Sequence, residues 1–152
     1  MITIKKSTTA DTRTCDWSKV TKEQLKESSE QHIGDIKKGV DFFKGLMDKA
    51  ADRHDFDKLT NLAGFHADFQ TGFKQTGWWD EHRKINRHHL LQADGIPTDV
   101  NLIDVLDMIT DCVMAGMGRS GNVYPLEITP ELLKRAFDNT VARLKSEITV
   151  KD

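Results

Sequence analysis

The sequence is poor in several features that mark particular classes of protein. Its 152 residues include only two cysteines, Cys15 and Cys112, which are far apart and belong to no Cys-x-x-Cys pair. This spacing gives no support for zinc-thiolate or redox chemistry, and we expect both residues to be reduced thiols. Because Cys112 falls within a helical pattern, we expect it to be a small buried residue.

The chain also lacks long apolar runs and an excess of one charge. No run approaches the roughly 20 apolar residues that a membrane-spanning helix needs, and the segment Met1–Lys6 lacks the apolar core of a secretion signal. The 22 basic residues are balanced by 24 acidic ones, which argues against a broad basic surface for duplex nucleic acid. We therefore expect a cytosolic protein whose partners include neither a membrane nor duplex nucleic acid.

The sequence does have the composition and periodicity of a helical protein. It is 38% hydrophobic and 30% charged, as globular domains are. Thr21 and Gln24 have the spacing of a helix capping box, and apolar residues then recur every three or four positions. Three glycines, Gly34, Gly39 and Gly45, leave open a kink or a break in this first helix.

Later segments predict further helices. Two apolar stripes are expected to face the core. They comprise Leu62, Phe65, Phe69 and Phe73, and then Leu102, Leu106, Ile109 and Val113. The segment Gly116–Gly121 matches G-x-G-x-x-G, but it ends a helix instead of following a strand, which excludes a dinucleotide-binding motif. Thr129 and Pro130 predict the start of a last helix that reaches Ile148.

These patterns define one fold class. We predict an all-α fold, a compact orthogonal bundle of about five to seven helices. A short extended arm is expected at residues 1–20 and a single helical domain at residues 21–152. No internal repeat, low-complexity tract or break in composition divides that domain.

Histidines and aspartates carry the functional signal. His54 and Asp55 are adjacent, Lys58 follows one helical turn later, and more histidines and aspartates recur downstream. A neutral imidazole and a carboxylate suit one divalent cation, and residues on other helices can complete its coordination. The predicted metal ligands are His32, His54, Asp55, His82, His88, His89 and one of Asp104, Asp107 and Asp111.

Helical spacing predicts where some of these ligands point. His32 lies on the apolar stripe of the first helix, so we expect it to point inward. His82 and His89 share a face of one predicted helix. One stripe of a later helix carries Asp104, Asp107 and Asp111. Only one of these aspartates is needed as a distal ligand, and Asp104 or Asp111 can instead orient a ligand histidine.

Taken singly, these residues have simpler explanations. An inward histidine is often a hydrogen-bonded core residue, a His-Asp pair can end a helix, adjacent histidines can be exposed, and three aspartates can form a solvated face. We interpret His66 as an ordinary histidine outside the site. Trp78 and Trp79 are either core residues or a surface on which a nucleobase stacks. The joint occurrence of the histidines and aspartates favours a metal site.

The order of these residues resembles the HD superfamily of metal-dependent phosphohydrolases. His32 matches the first histidine of the superfamily, His54-Asp55 the pair that names it, and Asp107 the distal aspartate. Lys58 stands where many members have a lysine. The resemblance covers roughly residues 28–120.

The chain also resembles two narrower groups of proteins. The run from His88 to Pro97 is similar to the signature of the HD-GYP branch, in which His82 matches another ligand. The chain also resembles small phage and bacterial proteins that share His-Asp-x-x-Lys and a downstream Asn-x-His-His, as at Asn86–His89. The second resemblance implies that the protein can be phage-encoded and act in the cytoplasm of a bacterial host.

The resemblance implies a helical bundle that holds one or two divalent ions, which can be Mn, Fe, Co, Zn or Mg. Asp55 is expected to bridge two ions and activate water, and the substrate is expected to be a nucleotide or another small phosphomonoester. Lys58, Arg87 and Arg119 are the candidates for binding its phosphate oxygens. Asp55 and Lys58 are therefore the predicted catalytic residues.

Two other functions remain open from the sequence. Some HD relatives use the same ligand set to activate oxygen, so a diiron oxygenase is one alternative. A non-catalytic module that binds a nucleotide or a protein and keeps a structural metal is the other. Self-association into a homo-oligomer also stays open.

Overall fold

A computed structural model describes residues 1–6 and 15–151. The chain divides into two compact units, one formed by Met1–Gly45 with Ala142–Asp152 and the other by Leu46–Val141. The expected arm at residues 1–20 and single helical domain at residues 21–152 stay a prediction. Part of that arm, residues 7–14, lies outside the described residues.

The predicted all-α class is confirmed, since helices dominate the described residues and the one sheet there has two short strands. The helices are α1 (Lys22–Arg53), α2 (Phe56–Thr60), α3 (Leu62–Phe69), α4 (Trp78–Ile85), α5 (Leu102–Ser120) and α6 (Pro130–Ser146), with a single 3-10 turn at Ala93–Gly95. The strands are β1 (Ile2–Lys5) and β2 (Ile148–Lys151). In the described part of the chain, no helix combines the length and apolar character that crossing a bilayer requires.

The first unit joins β1 and β2 in a parallel pair, with Ile2 opposite Ile148. This pairing corrects the prediction that the last helix reaches Ile148. Both strands are rich in β-branched residues, which favour extended backbone, and α6 ends at Ser146. Two α1 side chains hold β1, because Gln31 Nε2 donates to the Lys5 carbonyl at 2.6 Å and Lys38 Nζ donates to the Thr3 carbonyl at 2.9 Å.

Helix α1 begins as predicted but does not break. The Thr21 backbone N–H donates to Gln24 Oε1 at 3.0 Å, and the Gln24 N–H donates to Thr21 Oγ1 at 3.2 Å, which forms the capping box. The helix then runs without interruption past its three glycines to Arg53. None of its described residues is buried. The prediction that His32 points inward is therefore wrong, because the stripe on which it lies is itself exposed.

The second unit contains the hydrophobic core. It is built from Leu90, Val100, Val105, Met108, Cys112, Leu132 and Ala136. Cys112 is buried, as predicted. The predicted stripe on α5 is displaced, because Leu106 and Ile109 are exposed whereas Val105 and Met108 face the core. Both sets have helical spacing, so spacing alone could not choose between the two faces.

The aromatic edge of α3 is only partly covered. Phe65 and Phe73 are half-buried, but Leu62 and Phe69 are 58% and 61% exposed. The prediction that all four residues belong to the core is wrong for these two. In the last turn of α3, the fully buried carboxylate of Asp68 accepts hydrogen bonds from the backbone N–H groups of Thr76 and Trp79. Asp68 thereby fixes the start of α4.

Candidate metal centre

The second unit brings most of the predicted ligands together. His54 and Asp55 occupy the turn between α1 and α2, where Asp55 has a left-handed backbone with φ of 52°. His82 lies on α4. His88 and His89 follow α4 in a turn, because the helix ends at Ile85 and Asn86 is extended. The prediction that His82 and His89 share one helix is therefore wrong, although their side chains do meet.

The first group of potential ligands is His82, His89 and Asp55. The Nε2 atoms of His82 and His89 are 2.9 Å apart, and His82 Nε2 is 3.3 Å from Asp55 Oδ1. Since metal–nitrogen bonds to zinc are about 2.0–2.1 Å long, donor atoms of one ion lie about 3 Å apart. These three atoms therefore have the spacing of one coordination shell.

The second group is His54, His88 and, again, Asp55. His54 Nε2 is 3.6 Å from Asp55 Oδ2 and 3.7 Å from Asp111 Oδ1. His88 Nε2 is 3.5 Å from Asp55 Oδ1, and the rings of His54 and His88 are stacked with centroids 4.2 Å apart. All of these separations are too long for hydrogen bonds. Asp55 belongs to both groups, which is the position that a bridging carboxylate requires.

Asp107 has a different position from the predicted distal ligand. Its Oδ1 accepts a hydrogen bond from His54 Nδ1 at 2.8 Å, and its Oδ2 is 3.6 Å from His88 Nδ1. A carboxylate only accepts, so the His54 proton is on Nδ1 and its Nε2 presents a lone pair toward Asp55. Asp107 thus orients His54 from behind. From the sequence we expect Asp104 or Asp111 to orient a histidine, and in the structure Asp107 does so.

Burial and charge keep the ligands in metal-binding protonation states. Burial lowers the pKa of His88 to about 4, and the nearby charge of His54 contributes. Burial also lowers the pKa of His89 to about 3, helped by His88 and His82. Burial acts to raise the pKa of Asp55, but the polar contacts with His82 and Lys58 outweigh it and hold this pKa well below its usual value. At neutral pH the His88 and His89 rings are therefore neutral and the Asp55 carboxylate is ionised, which are the forms that bind metal.

Two unsatisfied atoms test whether an ion fits these residues. Among the described residues, Asp55 Oδ1 and His88 Nε2 are buried and have no hydrogen-bond partner. The His88 side chain is only 3% exposed. Leaving a buried polar atom without a partner costs about 1–3 kcal/mol, and here two such atoms lie 3.5 Å from each other. A cation between them satisfies both atoms, so the donor set fits a divalent metal.

Aromatic rings and one lysine border the centre. Trp78 and Trp79 each stack on His82 with centroids 4.9 Å apart, and both are half-buried. Lys58 Nζ is bonded to Asp55 Oδ2 and lies 6.0 Å from the Trp79 ring centroid. Lys58 is thus at the centre, as predicted. The tryptophans pack directly against a ligand ring, which favours the structural alternative for them.

The other two predicted phosphate-binding residues, Arg87 and Arg119, form hydrogen bonds with other side chains. The Arg87 guanidinium is held by two aspartates. It donates two hydrogen bonds to the Asp104 carboxylate, at 2.7 and 2.9 Å, one to the Asp99 carboxylate at 3.0 Å and one to the Asp99 carbonyl at 3.3 Å. The bonds to Asp104 raise the pKa of Arg87. Arg119 is exposed on the last turn of α5, which extends through the glycine segment to Ser120. A hydrogen bond to Tyr124 raises the pKa of Arg119.

Two histidines lie away from the centre. His32 is exposed in the first unit and belongs to neither group, so we leave it out of the proposed ligand set. His66 is exposed on α3, in agreement with its interpretation as an ordinary histidine.

Sequence reasoning missed two residues of the centre. Asp57 is buried and accepts a hydrogen bond from His82 Nδ1, at 2.8 Å from Oδ2. Asn86 is buried and bonds to both Asp57 and the backbone of Asp55. Their signals were the second aspartate two positions after Asp55 and the asparagine four positions after His82.

Comparisons with protein-family models, with curated proteins and with solved structures find no match for this chain.

Proposed function

We propose that this protein is a metal-dependent phosphohydrolase that acts on a nucleotide or another small phosphomonoester. The observation that carries the proposal is the convergence of four histidines on one half-buried carboxylate, with two buried atoms, Asp55 Oδ1 and His88 Nε2, left without hydrogen bonds. Isolated buried lone pairs of this kind are costly in a protein that has no use for a cation.

Each residue of the centre has a chemical task in this proposal. His54 and His88 hold one side of the ion-binding space and His82 and His89 the other, while Asp55 faces both. A divalent ion bound there lowers the pKa of water and neutralises phosphate oxygens. Lys58 places a positive charge beside Asp55, where it can bind a phosphate oxygen. Arg119 is the second candidate for that task. Arg87 instead stabilises the fold through its hydrogen bonds to Asp104.

The decisive experiment compares two histidine variants. His88→Asn removes a buried ligand, whereas His66→Asn changes an exposed histidine in the same unit and serves as the matched control. Metal content is measured by elemental analysis, and phosphate release is measured on a panel of nucleotides with Mn, Co, Fe, Zn or Mg added. We expect the wild type and His66→Asn to bind metal and release phosphate, and His88→Asn to lose both.

Other results would redirect the proposal. If no metal binds the wild type more tightly than about micromolar, the metal centre is disproved. Metal binding without phosphate release favours a binding module with a structural ion, especially if chelation unfolds the protein. Iron-dependent oxygen uptake favours a diiron oxygenase.

A further inference from the structure

We propose that Asp57 and Asn86 are positioning residues that build the His82–His89 half of the centre. The inference rests on the proposed metal site and identifies the residues that position its ligands. Asp57 and Asn86 are 7% and 3% exposed and lie behind the ligands. Neither residue belongs to the groups that can touch an ion.

Asp57 determines which nitrogen of His82 carries the proton. Its Oδ2 and Oδ1 are 2.8 and 3.0 Å from His82 Nδ1. Because a carboxylate only accepts hydrogen bonds, the proton stays on Nδ1 and the lone pair stays on Nε2. Nε2 is the atom that faces Asp55 and His89. Without this carboxylate, the ring is free to place its proton where the ion should bind.

Asn86 fixes the backbone of Asp55. Its Oδ1 accepts a hydrogen bond from the Asp55 backbone N–H at 3.1 Å, in a turn where Asp55 has the left-handed conformation that non-glycine residues seldom adopt. The amide nitrogen donates to Asp57 Oδ1 at 2.8 Å and to the His82 carbonyl at 3.0 Å. One asparagine therefore links the shared carboxylate ligand, the His82 backbone and the residue that orients the His82 ring.

Asp57→Asn is the most informative substitution, since it preserves size. The new amide must keep its oxygen toward the Asn86 nitrogen, which needs an acceptor. Its own nitrogen then takes the place of Oδ2, 2.8 Å from His82 Nδ1, and donates to that atom. His82 is driven to the tautomer with a proton on Nε2, which blocks the ligand atom. Replacement of such supporting groups typically weakens metal binding by about 10–100-fold.

The test measures Co²⁺ affinity and the visible Co²⁺ spectrum of the full chain. The matched control is Asp68→Asn, because Asp68 is also a buried carboxylate of the second unit but accepts hydrogen bonds from Thr71, Thr76 and Trp79 and from no histidine. We expect Asp57→Asn to raise the Co²⁺ Kd by about 10–100-fold and change the spectrum. Asp68→Asn is expected to lower stability while its Co²⁺ Kd stays within about threefold of the wild type. Asn86→Ser removes the side-chain hydrogen bonds to the Asp55 backbone, to Asp57 and to the His82 carbonyl. It is expected to weaken Co²⁺ binding as Asp57→Asn does.

A measurement on the wild type covers the case in which these variants do not fold. Long-range ¹H–¹⁵N correlation spectra of the metal-free protein at neutral pH report the tautomer of each histidine. The inference requires His82 to carry its proton on Nδ1, and a proton on Nε2 overturns it. Equal Co²⁺ affinity of Asp57→Asn and Asp68→Asn also overturns it, while leaving the metal site intact. Failure of the wild type to bind Co²⁺ instead disproves the proposed function, and the inference with it.

Discussion

Substitution of Gly95 tests how the backbone positions a ligand. Gly95 ends the 3-10 turn that follows His89, and it is buried. A Cβ built at this position overlaps the carbonyl oxygen of His89 and lies 3.2 Å from the carbonyl oxygen of Arg83 and 3.3 Å from the Cβ of His89. Glycine is therefore required here by the close approach of two backbone segments.

The expected magnitude follows from the size of this overlap. Ordinary contacts between such atoms begin near 3.5 Å, so in Gly95→Ala one of the two segments must move by roughly an ångström. Overpacking of this kind costs about 1–3 kcal/mol of unfolding free energy. Because one of the two segments carries His89, we expect the shift to displace the His89 ring from His82 and Asp55. We therefore expect weaker metal binding together with lower stability.

Urea unfolding and Co²⁺ titration measure the two effects separately. The control is Gly118→Ala, since Gly118 lies in α5 with no atom within 4 Å of an added Cβ. Alanine is a better helix former there, so this variant should gain about 0.5–1 kcal/mol and keep its Co²⁺ affinity. If Gly95→Ala matches the wild type in both measurements, the backbone does not hold His89 in the way described.

Four further predictions concern the metal, pH and the framework. A saturating metal at 100 times its Kd should raise the free energy of unfolding by about 2.7 kcal/mol, and chelation should reverse the gain; an unchanged melting temperature contradicts this. In metal-free protein, burial lowers the pKa of His88 to about 4 in the folded state, below the value near 6.5 of the unfolded chain. Between these two pH values the unfolded chain binds more protons, so the free energy of unfolding should fall as the pH drops. A urea midpoint that does not change over this interval would contradict the burial of a neutral ring. Arg87→Lys loses the two-point contact with Asp104 and should cost about 1 kcal/mol in urea unfolding, whereas a neutral result would mean that the pair is screened by solvent. Thr140→Val leaves the Leu102 N–H without its 2.9 Å acceptor and should cost about 1–2 kcal/mol by the same measurement, with no loss of metal.

Local signals predicted the helices better than the faces they bury. The capping box at Thr21 is confirmed because its two hydrogen bonds join residues three positions apart. The stripe of α5 was placed one position away from the buried one, since Leu106 and Val105 are equally apolar and only the neighbouring segments decide which is covered. The strand β2 was missed because its partner is β1, at the other end of the chain.

The candidate site shows the same division between local and long-range information. The sequence identified candidate metal-binding residues, because imidazole and carboxylate groups can bind a cation in any fold. The structure brings five of these candidates together, namely His54, Asp55, His82, His88 and His89. The roles within the site were not predicted. Asp107 orients His54 from behind, and Asp57 supports His82, through contacts between residues 53 and 25 positions apart.

The order of residues along the chain was enough to determine a helical protein with a set of groups suited to a divalent cation. Helical periodicity and side-chain chemistry act within a few residues, so they can be read without coordinates. Three features depend on segments that meet only after folding. They are the ring nitrogen that each histidine turns toward Asp55, the carboxylate that belongs to both histidine groups, and the asparagine that holds the turn at Asp55. These features are set by hydrogen-bond geometry and burial, and both are properties of the tertiary structure.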